Sequence, residues 1–285
     1  MKKTGVLTVL LTFLLLLSIV HAEEKAYLFE LKSEKPASFV LKLEMHAKTT
    51  MAMLFMHEIT TYLRFSVDQL NALSSDEVGK GLIKETTVAT ASVEYYLPGQ
   101  PNQSLPEDVI DDLLWNSGLG SRDSKIITRS NRQGIITSVD GVPEKFRAFY
   151  ENDMLFYPEH AVKIGDSWER NFVQPLPVDP NQPPFDFDVK GNYTFKRLLN
   201  DGREAEIAFR FETSADHAMQ AGKKVKVDVR LLREGKMIVR IADGWPVSLK
   251  SQTEFSFIYS ENNYVKSTEN TSAFYEKIEE KPEAE

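Results

Sequence analysis

The sequence predicts a mainly β (α+β) fold, a curved antiparallel meander or half-barrel covered by two amphipathic helices. Apolar and polar residues alternate with period two along most of the chain, the pattern of strands with one face buried and the other in water. Turn-forming residues recur between the alternating runs, and only two stretches switch to a helical period.

The first element is not part of that fold. Lys2 and Lys3, the apolar run from Val6 to Val20, and Val20-His21-Ala22 before Glu23-Glu24 have the layout of a secretory signal peptide over residues 1–22. The run is too short for a good membrane span, and the Val-x-Ala exit favours cleavage over a retained anchor. Cleavage would leave residues 23–275 as a single β-rich domain, with 276–285 as a disordered acidic tail around Pro282. The chain has no cysteine, so it has neither disulfides nor thiol chemistry, nor the lipid-bearing cysteine of a bacterial lipoprotein. With no second apolar run able to span a bilayer, the expected location is periplasmic or secreted. Removing Lys2 and Lys3 from 34 basic side chains, against 42 acidic ones, takes the formal charge from −8 to −10. Fields of that sign disfavour nucleic acid as a partner.

Phe39, Leu41, Leu43 and Met45 open the first strand, alternating with Val40, Lys42, Glu44 and His46. From Ala52 to Leu70 the apolar positions fit either period, and the β-branched and aromatic content favours strand. A first helix follows, with Ser104 and Glu107 at capping-box spacing, Pro106 in the first turn, and a stripe of Val109, Ile110, Leu113 and Leu114. Arg132-Gln133-Gly134 turns between Ile126-Ile127 and Ile135-Ile136. Pro143 opens a second predicted helix, whose Phe146, Phe149, Tyr150 and Met154 share a face. Beyond the proline-rich loop of Pro175 to Pro184, which could divide the chain into halves 23–174 and 185–275, strands begin at Phe185, Ile207, Val225 and Phe255. Asn200-Asp201-Gly202 and Glu234-Gly235 read as hairpin turns between them.

Few residues suggest chemistry. Gly165-Asp166-Ser167-Trp168 looks like the motif of GDS-type serine hydrolases, but their downstream Asp-x-x-His is missing, so it reads as a turn entering a strand. Met45, Met51, Met53 and Met56, four of the eight methionines, gather with His46 and His57 in a set suited to Cu(I). The same residues suit an apolar wall, which is the reading preferred here. Asp186 and Asp188 share a strand face, as solvent-facing residues do. No phosphate loop or zinc spacing is present, so neither metal, cofactor nor catalytic residue is expected.

Three stretches carry a resemblance: Asn131 to Gly141 (NRQGIITSVDG), Phe156 to Trp168 (FYPEHAVKIGDSW) and Asp243 to Val247 (DGWPV). In order and spacing they resemble a family of exported bacterial proteins of unknown function, with a Gly-Asp-x-Trp segment after an Asp-Gly hairpin. The meander with covering helices is similar, at the level of fold, to periplasmic lipoprotein carriers of the LolA type. That resemblance implies a half-barrel holding acyl chains between sheet and helices, although the lipoprotein cysteine typical of the first family is absent here. The resulting expectation is an exported non-enzymatic protein that binds a lipid or other hydrophobic ligand in an apolar cavity. The expected ligand-binding residues are Met45, Met53, Met56, Phe146, Phe149 and Tyr150. The alternative is a cell-envelope module whose partner is another protein.

Overall fold

The structure is a computed structural model that describes residues 25–33, 36–52, 58–75, 81–150, 155–176 and 183–278. The predicted leader lies outside the described residues, as do Met53, Met56, Met154 and residues 279–285. Twelve strands form one antiparallel open sheet. They are β1 (Ala37–Ala52), β2 (Ile59–Ser75), β3 (Gly81–Tyr96), β4 (Gln103–Ser104), β5 (Ile126–Asn131), β6 (Ile136–Asp140), β7 (Ser167–Leu176), β8 (Phe185–Leu199), β9 (Glu204–Gln220), β10 (Lys223–Arg240), β11 (Pro246–Ser260) and β12 (Asn263–Lys277). Their order is β6-β5-β3-β2-β1-β12-β11-β10-β9-β8-β7, with β4 beside β3 off this path. Two meanders are thus joined where β1 pairs with β12, Phe39 opposite Lys277 and Ala52 opposite Tyr264. The described part of the ambiguous stretch is strand from Ile59 onward, with Leu63, Phe65 and Val67 in β2.

Alternation decides the two faces. From β8 to β12 and on β1 the odd-numbered residues make the apolar face, and Tyr193, Phe195, Ile207, Val229 and Val239 there are fully buried. They pack with Trp168 of β7 and with Phe29, Leu31, Tyr157, Val162 and Trp245, which come from irregular chain and from the segment before β1. That segment is stitched in by its backbone: Tyr27 exchanges two hydrogen bonds with Val162, Leu31 donates to Arg132 at 2.8 Å, and Lys32 donates to Asp243 at 3.1 Å. Gly244 allows this approach, because its φ is +68° and a Cβ there would lie 2.3 Å from the carbonyl oxygen of Glu30.

Several expectations need correction. Only α1 (Glu107–Asn116) is a helix of more than one turn among the described residues, so the sheet does not have two covering helices. The second predicted helix is a 3₁₀ turn at Glu144–Phe146 followed by the single α turn Arg147–Tyr150, which we label α2. Phe146 and Tyr150 are pinned against Trp115, a contact that one turn is enough to make. In α1 the N-cap is Pro106, with no side-chain cap, while Ser104 pairs with Glu94 in β4. Only Ile110 and Leu114 of its stripe are buried, with Val109 and Leu113 exposed. Glu234-Gly235 is not a turn but lies inside β10. Gly235 is required there because Phe209, opposite it on β9, lays its ring where a Cβ would come within 2.5 Å. The β9–β10 turn instead uses Ala221 and Gly222, both at positive φ. Finally, Glu276 and Lys277, placed in the predicted tail, belong to β12, where Glu276 pairs with Lys42 at 2.8 Å.

Candidate functional site

The even-numbered positions of the same strands build the opposite, polar face, and on it lies an open trough of about 1230 Å³. Strand register explains its lining. Across β1, β12, β11, β10 and β9 runs the row Lys48, Thr268, Glu254, Leu232 and Glu212. Beside it runs the row Thr50, Lys266, Ser256, Arg230 and Ser214. Asp188 and Lys190 of β8 and Asn171 of β7 line the far end. A second groove of about 940 Å³ continues along the same face past His46, Lys196, Glu206, Lys236, Lys250 and Asn270, sharing Leu232 and Glu254 with the first.

A break in the sheet lies beside the first groove. The β8–β9 ladder holds at Asp186 opposite Met219 and resumes at Lys190 opposite Glu212, so three residues of β8 face six of β9. Val189 and Thr213, within this break, are among the residues around the trough. Among the charges, Arg210 donates to Glu212 at 2.9 Å and also to Glu234, which raises its pKa. Glu206 accepts from Arg197 at 3.0 Å with Lys236 at 3.6 Å, and this hydrogen bond holds its carboxyl below the ordinary value. Burial pushes Asp186 up. On the apolar face, half-buried Arg233 donates to Ser251 Oγ at 3.2 and 3.3 Å, and desolvation lowers its pKa against the pull of Glu269.

The residues singled out from sequence lie elsewhere. Phe146 and Tyr150 come together in a small closed cluster with Ile126 and Val139, where Trp115 stacks on Phe146 at 5.8 Å. Tyr150 Oη accepts from the amide of Gly120 at 3.0 Å, and burial raises its pKa. Half-buried Met45 sits on another part of the sheet, opposite Phe65, against the cluster of β2, β3 and α1. Met53 and Met56 lie outside the described residues, and so does the side chain of Phe149. None of Met45, Phe146 and Tyr150 lines the trough. Ser167 Oγ is bonded to Thr194 Oγ1 at 2.9 Å across the β7–β8 pair. Among the described residues, no group of three or more His, Asp or Glu side chains could hold a metal ion. Most of the trough-lining residues are the polar halves of the alternating runs, and Asp188 is the one weighed as a candidate site from sequence.

Fold and site define a large single-sheet antiparallel β protein with an open charged groove on one face. Residues 131–246 are similar to a family of unknown function, DUF6263. No curated protein matches the chain. A solved structure described as lipid–protein interactions in lipovitellin superposes with a TM-score of 0.46 at 9% identity, over 89% of this chain. The chain spans only 26% of that protein's length. No helix among the described residues is long and apolar enough to cross a membrane.

Proposed function

We propose that the protein acts outside the cytoplasm as a non-catalytic binding protein, taking an amphipathic, lipid-like ligand in the trough on its polar face. The trough is the observation that carries this reading. Its volume of about 1230 Å³ is enough for a lipid-sized molecule, since ligand sites commonly run from about 300 to 1,000 Å³. Leu232 supplies apolar surface on this face, and the aliphatic stems of lysine and arginine extend it while their charged ends stay in water. The leader read from residues 1–22 supports export.

The full-length gene product, recovered from an exporting host, should begin at Glu23 and carry lipid detectable by native mass spectrometry and solvent extraction. It should also take up a fluorescent fatty acid, and Leu232→Asp should lower that uptake about tenfold by charging the apolar residue common to both grooves. A ligand-free mass together with no uptake would overturn the reading. Uptake unchanged by Leu232→Asp would remove the trough as its place.

An envelope protein as partner is the second reading, favoured by the position of β7 at one end of the sheet. End strands are natural templates for an added strand. Cross-linking from β7 in intact cells should then recover one stoichiometric protein.

A further inference from the structure

Resting on the trough as the place of binding, we infer that its β10–β12 end is a subsite for a phosphate-bearing head group. The row Ser214, Arg230, Ser256, Lys266 and Thr50 alternates hydroxyls with cations across five adjacent strands and contains no carboxylate. All five residues line the trough. Arg230 and Lys266 flank Ser256 from the two neighbouring strands, so their backbones stand about 10 Å apart. Side chains of this length can reach the serine hydroxyl from both sides by turning from Asp228 and Tyr264, and a phosphate seated there would meet a guanidinium, an ammonium and O–H donors together. Those are the partners that bind phosphate oxygens most strongly.

The charges are available for this. Lys266 Nζ lies 4.9 Å from the Tyr264 ring centroid, and Lys48 Nζ, one row away, lies 5.8 Å from that of Tyr62. Aromatic faces, not carboxylates, hold both ammoniums. Arg230 does have an acid, Asp228, two residues along its own strand, but both of its bonds there are long at 3.2 and 3.3 Å, and the guanidinium is exposed. An exposed pair of that kind is weak and exchanges readily for a better anion. Of the five basic side chains that line the trough, Lys190 is paired with Glu169 at 3.1 Å and Arg210 with Glu212 at 2.9 Å, which leaves Lys48, Lys266 and the weakly held Arg230 as the cations an anionic guest would meet.

Calorimetric titration of the mature protein separates the possibilities, using lysophosphatidic acid, a monoacylglycerol with the same acyl chain, and inorganic phosphate. The phosphate-bearing lipid should bind at least about tenfold more tightly than the monoacylglycerol, with a preference that shrinks as salt is raised. The double variant Arg230→Gln/Lys266→Gln should bring the two lipids within about twofold of each other, by weakening lysophosphatidic acid binding far more than monoacylglycerol binding. Lys224→Gln, on β10 outside the trough, should keep the preference. Equal affinities in the wild type, or a preference that survives the double variant, would overturn the subsite. Binding of inorganic phosphate with neither lipid would support the subsite and overturn the amphipathic ligand. No binding of any of the three would overturn both.

Discussion

The two ends of the sheet bury their apolar faces by different means. One continuous cluster, mostly of aromatic and β-branched residues, runs from β7 to β12 and reaches Phe39, Leu73 and Leu82 at the near ends of β1, β2 and β3; it is closed by irregular chain, namely the segment before β1, the stretch from Leu155 to Val162, and the turn at Trp245. At the β2–β6 end there are two smaller clusters, one under α1 and one around Phe146 and Tyr150. The small clusters also carry buried polar groups: Thr86 donates to Asn71 at 2.8 Å, and Gln69 donates to the carbonyl of Leu119. Apolar burial is the larger source of stability, so the β7–β12 end should be the more resistant part. The trough lies largely on the reverse of that part, where rigid strands can hold binding side chains in fixed positions.

The most severe challenge to this comparison is Phe195→Ala. Phe195 is fully buried and makes edge-to-face contacts with Phe29 at 5.2 Å and Tyr27 at 5.7 Å. Its backbone also donates to Asp166 and accepts from Gly165, joining β8 to the loop before β7. Removing the ring should cost about 4 kcal/mol in denaturant unfolding. Because it loosens the segment that closes the cluster, it should also weaken ligand uptake. A loss below about 1.5 kcal/mol would mean that the large cluster is not the main support.

Leu114→Ala makes the matching change at the other end. Leu114 is fully buried on α1, so truncation should cost about 3 kcal/mol. Its effect should be regional, with faster amide exchange in β2, β3 and α1 but little change in β8 to β10, and with unchanged ligand uptake. Equal acceleration in both regions would show that the sheet unfolds as one unit and would end the distinction between its ends.

Much of this architecture is legible in the alternation. Phe185, Phe187 and Val189, or Ile207, Phe209 and Phe211, fall on the buried face as their period demands. Asn200-Asp201-Gly202 and Arg132-Gln133-Gly134 occupy tight turns with positive φ. Gly235 was harder to read, because a glycine beside glutamate signals a turn equally well whether the chain reverses or a neighbour's ring needs the space. Only the partner strand, two dozen residues away, supplies Phe209. The second helix failed for a related reason: the spacing of Phe146 and Tyr150 reports a shared face, which one turn provides as well as three. The trough was invisible because periodicity assigns polar residues to the non-core face without saying whether that face is flat or hollow. Its lining is set by strand register, and register depends on pairing between distant residues.

Glu206 gives the smallest and most specific test, since it puts a charge of the polar face, not the core, under scrutiny. The Arg197 hydrogen bond lowers its folded-state value below the ordinary 4.5, so folding favours the ionised form. That stability is fully present above about pH 4.5 and is lost as pH falls through the lower folded value. Glu206→Gln should therefore destabilise the protein near neutrality by about half a kcal/mol, the scale of a partly exposed ion pair. The gap between variant and wild type should close as the solution is acidified below pH 4.5, and denaturant unfolding at a series of pH values would show it. A gap independent of pH would mean that Glu206 supports β9 by packing. The polar face would then owe its rigidity to the aromatic cluster behind it and not to its own charges.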